Sequence, residues 1–320
     1  MSSPSDPSTA PSAADPAAPQ PDARSHPSGP ALAPEHAPPG AAAVGPCPPE
    51  LRAKLEATLR GMGSVLVAFS GGVDSAVVAV LAHAVLGERA VAFTADSPTF
   101  PPEELAIASR IAAQRGLVHR VVHSAELERE GYARNAGDRC YFCKTELFTL
   151  AVAEAERRGL AFIADGTLPD DLGEHRPGLR AAAEQRVRHP LVEAGLNKAA
   201  VRALARELGL EVWDKPAFSC LGSRFPVGTR VTPERVRSVQ RIESFLRMMG
   251  AKQLRARWHL LDGAPMIRIE APTDEHALYV DPAVRQGLDE IARAEGVRWL
   301  TLDLGGYKRG GLSFAIGGAH

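Results

Sequence analysis

Ser64-Val65-Leu66-Val67-Ala68-Phe69-Ser70-Gly71-Gly72-Val73-Asp74-Ser75 is an apolar, valine-rich run that stops at two glycines. It shows no alternation of polar and apolar residues. A strand apolar on both faces is what a parallel sheet covered by helices on each side requires. Beyond the glycines, Ala76–Leu86 reads as a helix. The stretch is therefore strand, tight loop and helix start.

Working outward, the same alternation continues. Leu51, Leu55 and Leu59 recur at helical spacing before the strand. After it come a strand at Ala90–Thr94, a helix at Glu103–Gln114, a strand at Leu117–His123, a helix at Lys144–Arg158, a strand at Leu160–Asp165 and a helix at Lys198–Leu208. Strands alternating with helices of this length predict an α/β doubly wound, mostly parallel sheet. From about residue 226 the order changes. Thr232-Pro233 caps a helix whose apolar face is Val236, Val239, Ile242, Leu246 and Met249. Gln253–Leu260 and Pro265–Ala271 alternate like a hairpin, and a helix at Ala283–Ala294 and a strand at Val297–Leu304 follow. The expected division is a tail over 1–48, the sheet domain over 49–225 and a small α+β domain over 226–320.

The loop carries chemistry. Its glycines let backbone N–H groups approach an anion, and the helix start adds its dipole. Asp74 offers a carboxylate to a phosphate-bound magnesium ion, and Ser70 and Ser75 offer hydroxyls. The loop is neither a Walker A motif nor a Gly-x-Gly-x-x-Gly dinucleotide loop. Ser70–Ser75 resembles the signature of the PP-loop ATP pyrophosphatases. That resemblance implies cleavage of ATP to AMP and pyrophosphate, with a second substrate activated as its adenylate.

Further stretches resemble the LarE-type sulfur-insertion enzymes of nickel-pincer nucleotide biosynthesis. They are Thr94–Pro98, Arg139-Cys140-Tyr141-Phe142-Cys143-Lys144 with Glu146–Phe148, Asp165-Gly166-Thr167, Asp170-Asp171 through Arg176–Gly178, Trp213–Arg224 and Tyr307–Gly310. The chain departs from the family at Leu168, where Asn is usual, and at His189, where Ser is usual. The resemblance implies that ATP is held by Ser70, Gly71, Gly72, Val73, Asp74, Ser75, Thr94 and Gly166. It implies a pyridinium-3,5-biscarboxylic acid mononucleotide as substrate, with one carboxylate adenylated and its oxygen replaced by sulfur. It also implies a homo-oligomer.

In the resembled family a cysteine at the position of Cys220 is the sulfur source, and some members sacrifice it to dehydroalanine. Members with all three of Cys140, Cys143 and Cys220 are held to carry a [4Fe-4S] cluster, whose open iron takes external sulfide. A zinc site completed by His119 or His123, and a redox dithiol, are the remaining readings of these cysteines. The fourth cysteine, Cys47, is expected in the tail and without a role.

Arg224 closes the Trp213–Arg224 block. In the hairpin, Leu254, Ala256, Trp258 and Leu260 are expected to face the core, with Arg255, Arg257 and His259 on the other face beside Arg268 and Glu270. Two carboxylates and a phosphate call for guanidinium forks, whereas a solvated strand face with cross-strand ion pairs explains the same pattern without a ligand. The resemblance favours Arg224, Arg255, Arg257, Glu243 and Glu270 as substrate contacts.

The chain has 37 Lys and Arg against 38 Asp and Glu. Beyond the tail the balance is 36 against 34. A tRNA thiolase of the same superfamily, the rival reading, needs a basic RNA-binding face that this balance does not supply. No apolar run approaches the ~20 residues of a membrane span, and four cysteines suit a reducing cytoplasm, where the protein is expected. Residues 1–49 hold 14 of the 26 prolines and only one Lys or Arg. Such a segment cannot offset its ordering entropy and is expected to be disordered. Deleting residues 1–46 is accordingly expected to leave melting temperature and turnover unchanged, as calorimetry and product assays would show; a loss of several degrees would mean that the tail docks.

Overall fold

A computed structural model describes residues 45–172 and 177–307. Most of the tail, Arg176 and Lys308–Gly310 lie outside the described residues. The first elements are α1 (Pro49–Met62), β1 (Val65–Ala68), α2 (Val73–Leu86), β2 (Ala90–Asp96), α3 (Pro102–Gln114) and β3 (Val118–His123). They are followed by α4 (Glu130–Ala133), α5 (Arg139–Arg158), β4 (Phe162–Ala164), α6 (Pro177–Glu184), α7 (Pro190–Ala194) and α8 (Lys198–Glu207).

The strands form a parallel sheet in the order β3-β2-β1-β4. All four residues of β1 are buried, because the pleat sends them alternately to two cores. Val65, Val67 and Phe69 join residues of α1, α2, α3 and α8 on one face. Leu66 and Ala68 join Phe93, Phe148 and Ala151 on the other. This is the doubly wound arrangement that the unbroken apolar run predicts. The chain steps from β1 to β2 and β3 on one side and returns to β4 on the other. The crevice where the order reverses, at the carboxyl ends of β1 and β4, is where such sheets bind ligands.

The remaining elements are a short 3₁₀ turn at Leu221–Arg224, α9 (Pro233–Met248), β5 (Arg255–Leu261), β6 (Ala264–Glu270), α10 (His276–Val280), α11 (Pro282–Ala294) and β7 (Trp299–Leu302). Thr232 caps α9 by accepting from the Arg235 N–H at 3.4 Å. β5 and β6 pair antiparallel, and β6 pairs parallel with β7. Asp262 and Gly263 both have positive φ (49° and 75°), the backbone of a two-residue type I′ hairpin. Leu254, Ala256 and Trp258 enter a core with Val239, Ile242 and Leu288.

Three expectations change. Cys47 is not a tail residue without a role: it is buried in the core of the parallel sheet, and its N–H donates to Glu207 Oε1 at 2.6 Å. Leu260 is 54% exposed, because the strand runs past the edge of the core toward the hairpin tip. The fifth helix begins at Arg139 rather than Lys144, so Cys140 stands in its first turn and Cys143 at the start of its second.

Leu66 lies fully buried at the centre of β1. Leu66→Ala should cost about 2–5 kcal/mol, read as a lower denaturant midpoint at unchanged slope.

Candidate active site

Between the carboxyl ends of β1 and β4 lies a cleft of about 770 Å³. Its lining includes Ser70, Asp74, Ser75, Thr94, Asp165 and Gly166, together with Lys144, Phe218 and the three cysteines Cys140, Cys143 and Cys220. The phosphate loop and the cysteines, 65 or more residues apart in sequence, thus share one cavity.

The loop's shape follows from its residues. Gly71 takes a φ of +70°, and a Cβ there would fall 2.9 Å from the Ala108 nitrogen. Val73, Asp74 and Ser75 form the first turn of α2, whose N–H groups point at the cleft end of β1. Ser75 stitches the turn: its hydroxyl donates to Gly72 O at 3.1 Å and accepts from the Ser70 N–H at 3.2 Å. Thr94 is buried and donates to Phe69 O at 2.6 Å, with His119 Nε2 at 2.8 Å, so its hydroxyl pins the end of β1 to β2. Gly166 is where β4 meets the loop. A Cβ there would stand 2.7 Å from the Ser75 nitrogen and 2.9 Å from the Asp74 carbonyl carbon.

Two partners of the carboxylates that line this half of the cleft escaped the sequence reading. Lys198, the first residue of α8, donates to both carboxylate oxygens of Asp74 at 2.8 and 2.7 Å. His189 meets the buried Asp165 carboxylate at 2.7 Å, and Asp165 also accepts from the Thr167 N–H at 3.0 Å. Burial alone would raise the Asp165 pKa, but His189 and Lys144 hold it below the usual carboxylate range. The hydrogen bond to Asp165 in turn raises His189. Nothing in the sequence signals either pair. Lys198 lies 124 residues from Asp74, and only the fold brings the start of α8 to the start of α2.

In the other half, Cys140 is exposed while Cys143, three residues along the same helix face, is deeper. Burial pushes the Cys143 thiol far above its usual pKa, and the nearby Cys220 and Glu126 push it further. Among the described residues no group of three or more His, Cys, Asp or Glu is tight enough for a single metal ion. His119 turns its Nε2 to the Thr94 hydroxyl.

Cys220 is held by a buried ion-pair network. Arg224 is 0% exposed, and its Nε and Nη2 donate to the two Glu243 oxygens at 2.7 and 2.9 Å. Its Nη1 reaches the carbonyls of Ser219 (3.0 Å) and Cys220 (3.2 Å) and the Ser223 hydroxyl (2.8 Å). Glu243 also accepts from the Ala256 N–H at 2.9 Å and from Arg247 at 2.8 Å. Burial would raise its carboxyl, yet Arg224 more than offsets this and keeps it low. Arg257 donates to Glu270 at 3.0 Å and to Ser223 O at 2.9 Å. Arg224, Glu243, Arg257 and Glu270 are therefore turned inward to one another and to the Cys220 loop. Arg255 is the one of the five expected substrate contacts that keeps accessible surface. It donates to Leu254 O at 2.9 Å and lies 5.4 Å from the Tyr307 ring. Burial lowers its pKa, and the neighbouring Arg224 adds to the effect.

Comparison with known proteins fits this geometry. Residues 50–141 match the asparagine synthase family, which includes the loop. An uncharacterized Synechocystis protein is 40% identical over 266 residues, 82% of this chain and 98% of its own length. The pyridinium-3,5-bisthiocarboxylic acid mononucleotide synthase of Lactiplantibacillus plantarum is 35% identical over 263 residues, 82% of this chain and 93% of that protein. The chain belongs to the LarE family. It is thus an ATP-dependent sulfurtransferase of the PP-loop superfamily, as the loop and the cysteine block predict. A tRNA-specific 2-thiouridylase of Xanthobacter autotrophicus matches more narrowly, 33% identical over 48% of this chain. Among the described residues no helix is long and apolar enough to cross a membrane.

Gly166→Ala should force the loop apart at a cost of about 1–3 kcal/mol. The expected outcome is loss of ATP binding by calorimetric titration with a native far-UV spectrum; unchanged ATP affinity would show that the close approach at Gly166 does not shape the site.

Proposed function

We propose that this chain adenylates a carboxylate of pyridinium-3,5-biscarboxylic acid mononucleotide and replaces one oxygen by sulfur, giving the thiocarboxylate. The observation that carries this reading is the sharing of one cleft by the phosphate loop and all three cysteines. A carboxylate is a poor electrophile. Its oxygen attacks the α-phosphorus of ATP, pyrophosphate leaves, and the resulting mixed anhydride exposes a carbonyl carbon whose leaving group is AMP. A sulfur anion then attacks that carbon, the C–O bond to AMP breaks, and the thiocarboxylate remains. The name of the Lactiplantibacillus relative supplies the substrate class.

Each group has a place in this scheme. The loop and the first turn of α2 bind the departing pyrophosphate. Asp74 is the hard oxygen donor that fits magnesium. Lys198, already on Asp74, supplies a cation beside the same phosphates. Arg255, half-buried where the other four are buried, receives a carboxylate or phosphate of the substrate. Arg224 and Glu243 fix the loop that presents Cys220, and Arg257 and Glu270 brace it from the hairpin.

The cysteines fit a [4Fe-4S] cluster by donor chemistry. Three soft thiol ligands border one cleft, two of them on one face of a helix turn. Such a cluster, when bound, supplies an iron position open to external sulfide. The burial that disfavours a bare Cys143 thiolate is the setting in which bonding to iron would favour it. Sacrifice of Cys220 without a cluster is the alternative source of sulfur.

The test is anaerobic turnover with ATP, magnesium, the mononucleotide and sulfide, scored for pyrophosphate and for thiocarboxylate by mass. Asp74→Asn should abolish pyrophosphate release in a folded protein; undiminished release would contradict the assignment of the loop. Cys140→Ala, Cys143→Ala and Cys220→Ala should each lose iron and repeated sulfur transfer while keeping adenylation. One sulfur per subunit, dispensable Cys140 and Cys143, and a dehydroalanine at position 220 would instead show the sacrificial route.

A further inference from the structure

Two phenylalanines stand apart from the packing of the rest. Every other described phenylalanine sits in or against one of the three hydrophobic cores, whereas Phe100 and Phe218 belong to none of them. Both instead line the cleft together with Cys220. They are half-buried and meet edge to face, with ring centroids 6.4 Å apart and planes at 83°.

The backbone fixes where this pair stands. Phe100 ends the turn between β2 and α3, which its own N–H closes on Ser97 O at 2.9 Å. Thr99 beside it is buried, and its hydroxyl donates to Glu126 at 2.8 Å. The Thr99 carbonyl accepts from the Leu221 N–H at 2.9 Å. That bond stitches the residue before Phe100 to the residue after Cys220. At the far end of the same segment Lys215 pairs with Glu104 of α3. Between these two anchors Pro216, Ala217 and Ser219 are exposed, while Phe218 and Cys220 line the cleft.

The chemistry of the proposed substrate suits this placement. The carbon that sulfur attacks is one bond from the pyridinium ring, so the ring has to lie at the cysteine end of the cleft. The adenine of the adenylate is joined to that carbon only through phosphate and ribose, and lies farther off. The pyridinium nitrogen carries the ribose and has no N–H for an acceptor to hold. What is left to recognise is a flat ring with a positive charge, and the negative face of an aromatic side chain attracts such a ring, the more so where water is excluded.

We propose that Phe100 and Phe218 form the aromatic platform for the pyridinium ring and hold its carboxylate at the sulfur-delivering end of the cleft. The proposal rests on the substrate reading above. The pair reads the charge on the ring, whereas an arginine reads only the carboxylates and the phosphate.

The experiment is calorimetric titration of the full chain with pyridinium-3,5-biscarboxylic acid mononucleotide and with its 1,4-dihydropyridine form. The latter keeps both carboxylates and the phosphate but has no ring charge. The wild type should bind the charged form about tenfold more tightly. Phe218→Leu keeps an apolar side chain and removes the π-face, so it should bind the charged form about tenfold more weakly and lose the preference. Its ATP affinity and melting temperature should be unchanged, because Phe218 belongs to no core. Phe100→Leu should weaken mononucleotide binding in the same direction. Loss of ATP affinity in place of mononucleotide affinity would overturn the proposal, since it would put adenine on the rings. Mononucleotide binding by the wild type that Phe218→Leu leaves unchanged would overturn this proposal alone. Absence of mononucleotide binding in the wild type would overturn the substrate reading and this proposal together.

Discussion

The Arg224–Glu243 pair is the interaction on which the site depends. Both side chains are fully buried, and a buried pair is tolerable only when every donor and acceptor is met. Here they are met by the elements that must be aligned: the carbonyls of Ser219 and Cys220, the Ser223 hydroxyl, the Ala256 N–H of β5 and Arg247 of α9. One ion pair thus ties the small sheet and its helix to the loop that carries Cys220 at the cleft. Loss of either partner would strand a charge in the interior, so the constraint holds the loop firmly rather than loosely.

The second constraint is topological. Because β1 sits between β2 and β4, the loops that follow β1 and β4 leave the sheet side by side. Gly166 permits the contact, since any side chain there would collide with the first turn of α2. The loop half of the cleft is therefore built by backbone approach, and the cysteine half by side chains of α5 and the Cys220 loop. On the proposed function, adenylation and sulfur delivery meet where these two constructions face each other.

Much of this was legible in the sequence, for identifiable reasons. β1 declares itself because a doubly covered strand must be apolar at every position, and Gly71, with its positive φ, marks the turn that follows. Asp262-Gly263 marks the hairpin in the same way. What was not legible depends on long-range placement. Cys47 follows a proline-rich segment and shares its composition, yet is buried in the core of the parallel sheet. Arg224 and Glu243 carry the residue types of a substrate clamp, and only burial shows that they clamp protein. Lys198 has no local pattern, because its meaning comes from a partner, Asp74, that the fold brings close.

The central claim is that one cleft joins carboxylate adenylation to sulfur delivery. It is tested most directly by turnover of the mononucleotide labelled with oxygen-18 in its carboxylates, with mass analysis of both products. The account predicts that each thiocarboxylate formed is matched by one AMP carrying one labelled oxygen, because the C–O bond broken is the one made to AMP. Unlabelled AMP alongside thiocarboxylate, or label appearing in orthophosphate with ADP as co-product, would contradict it.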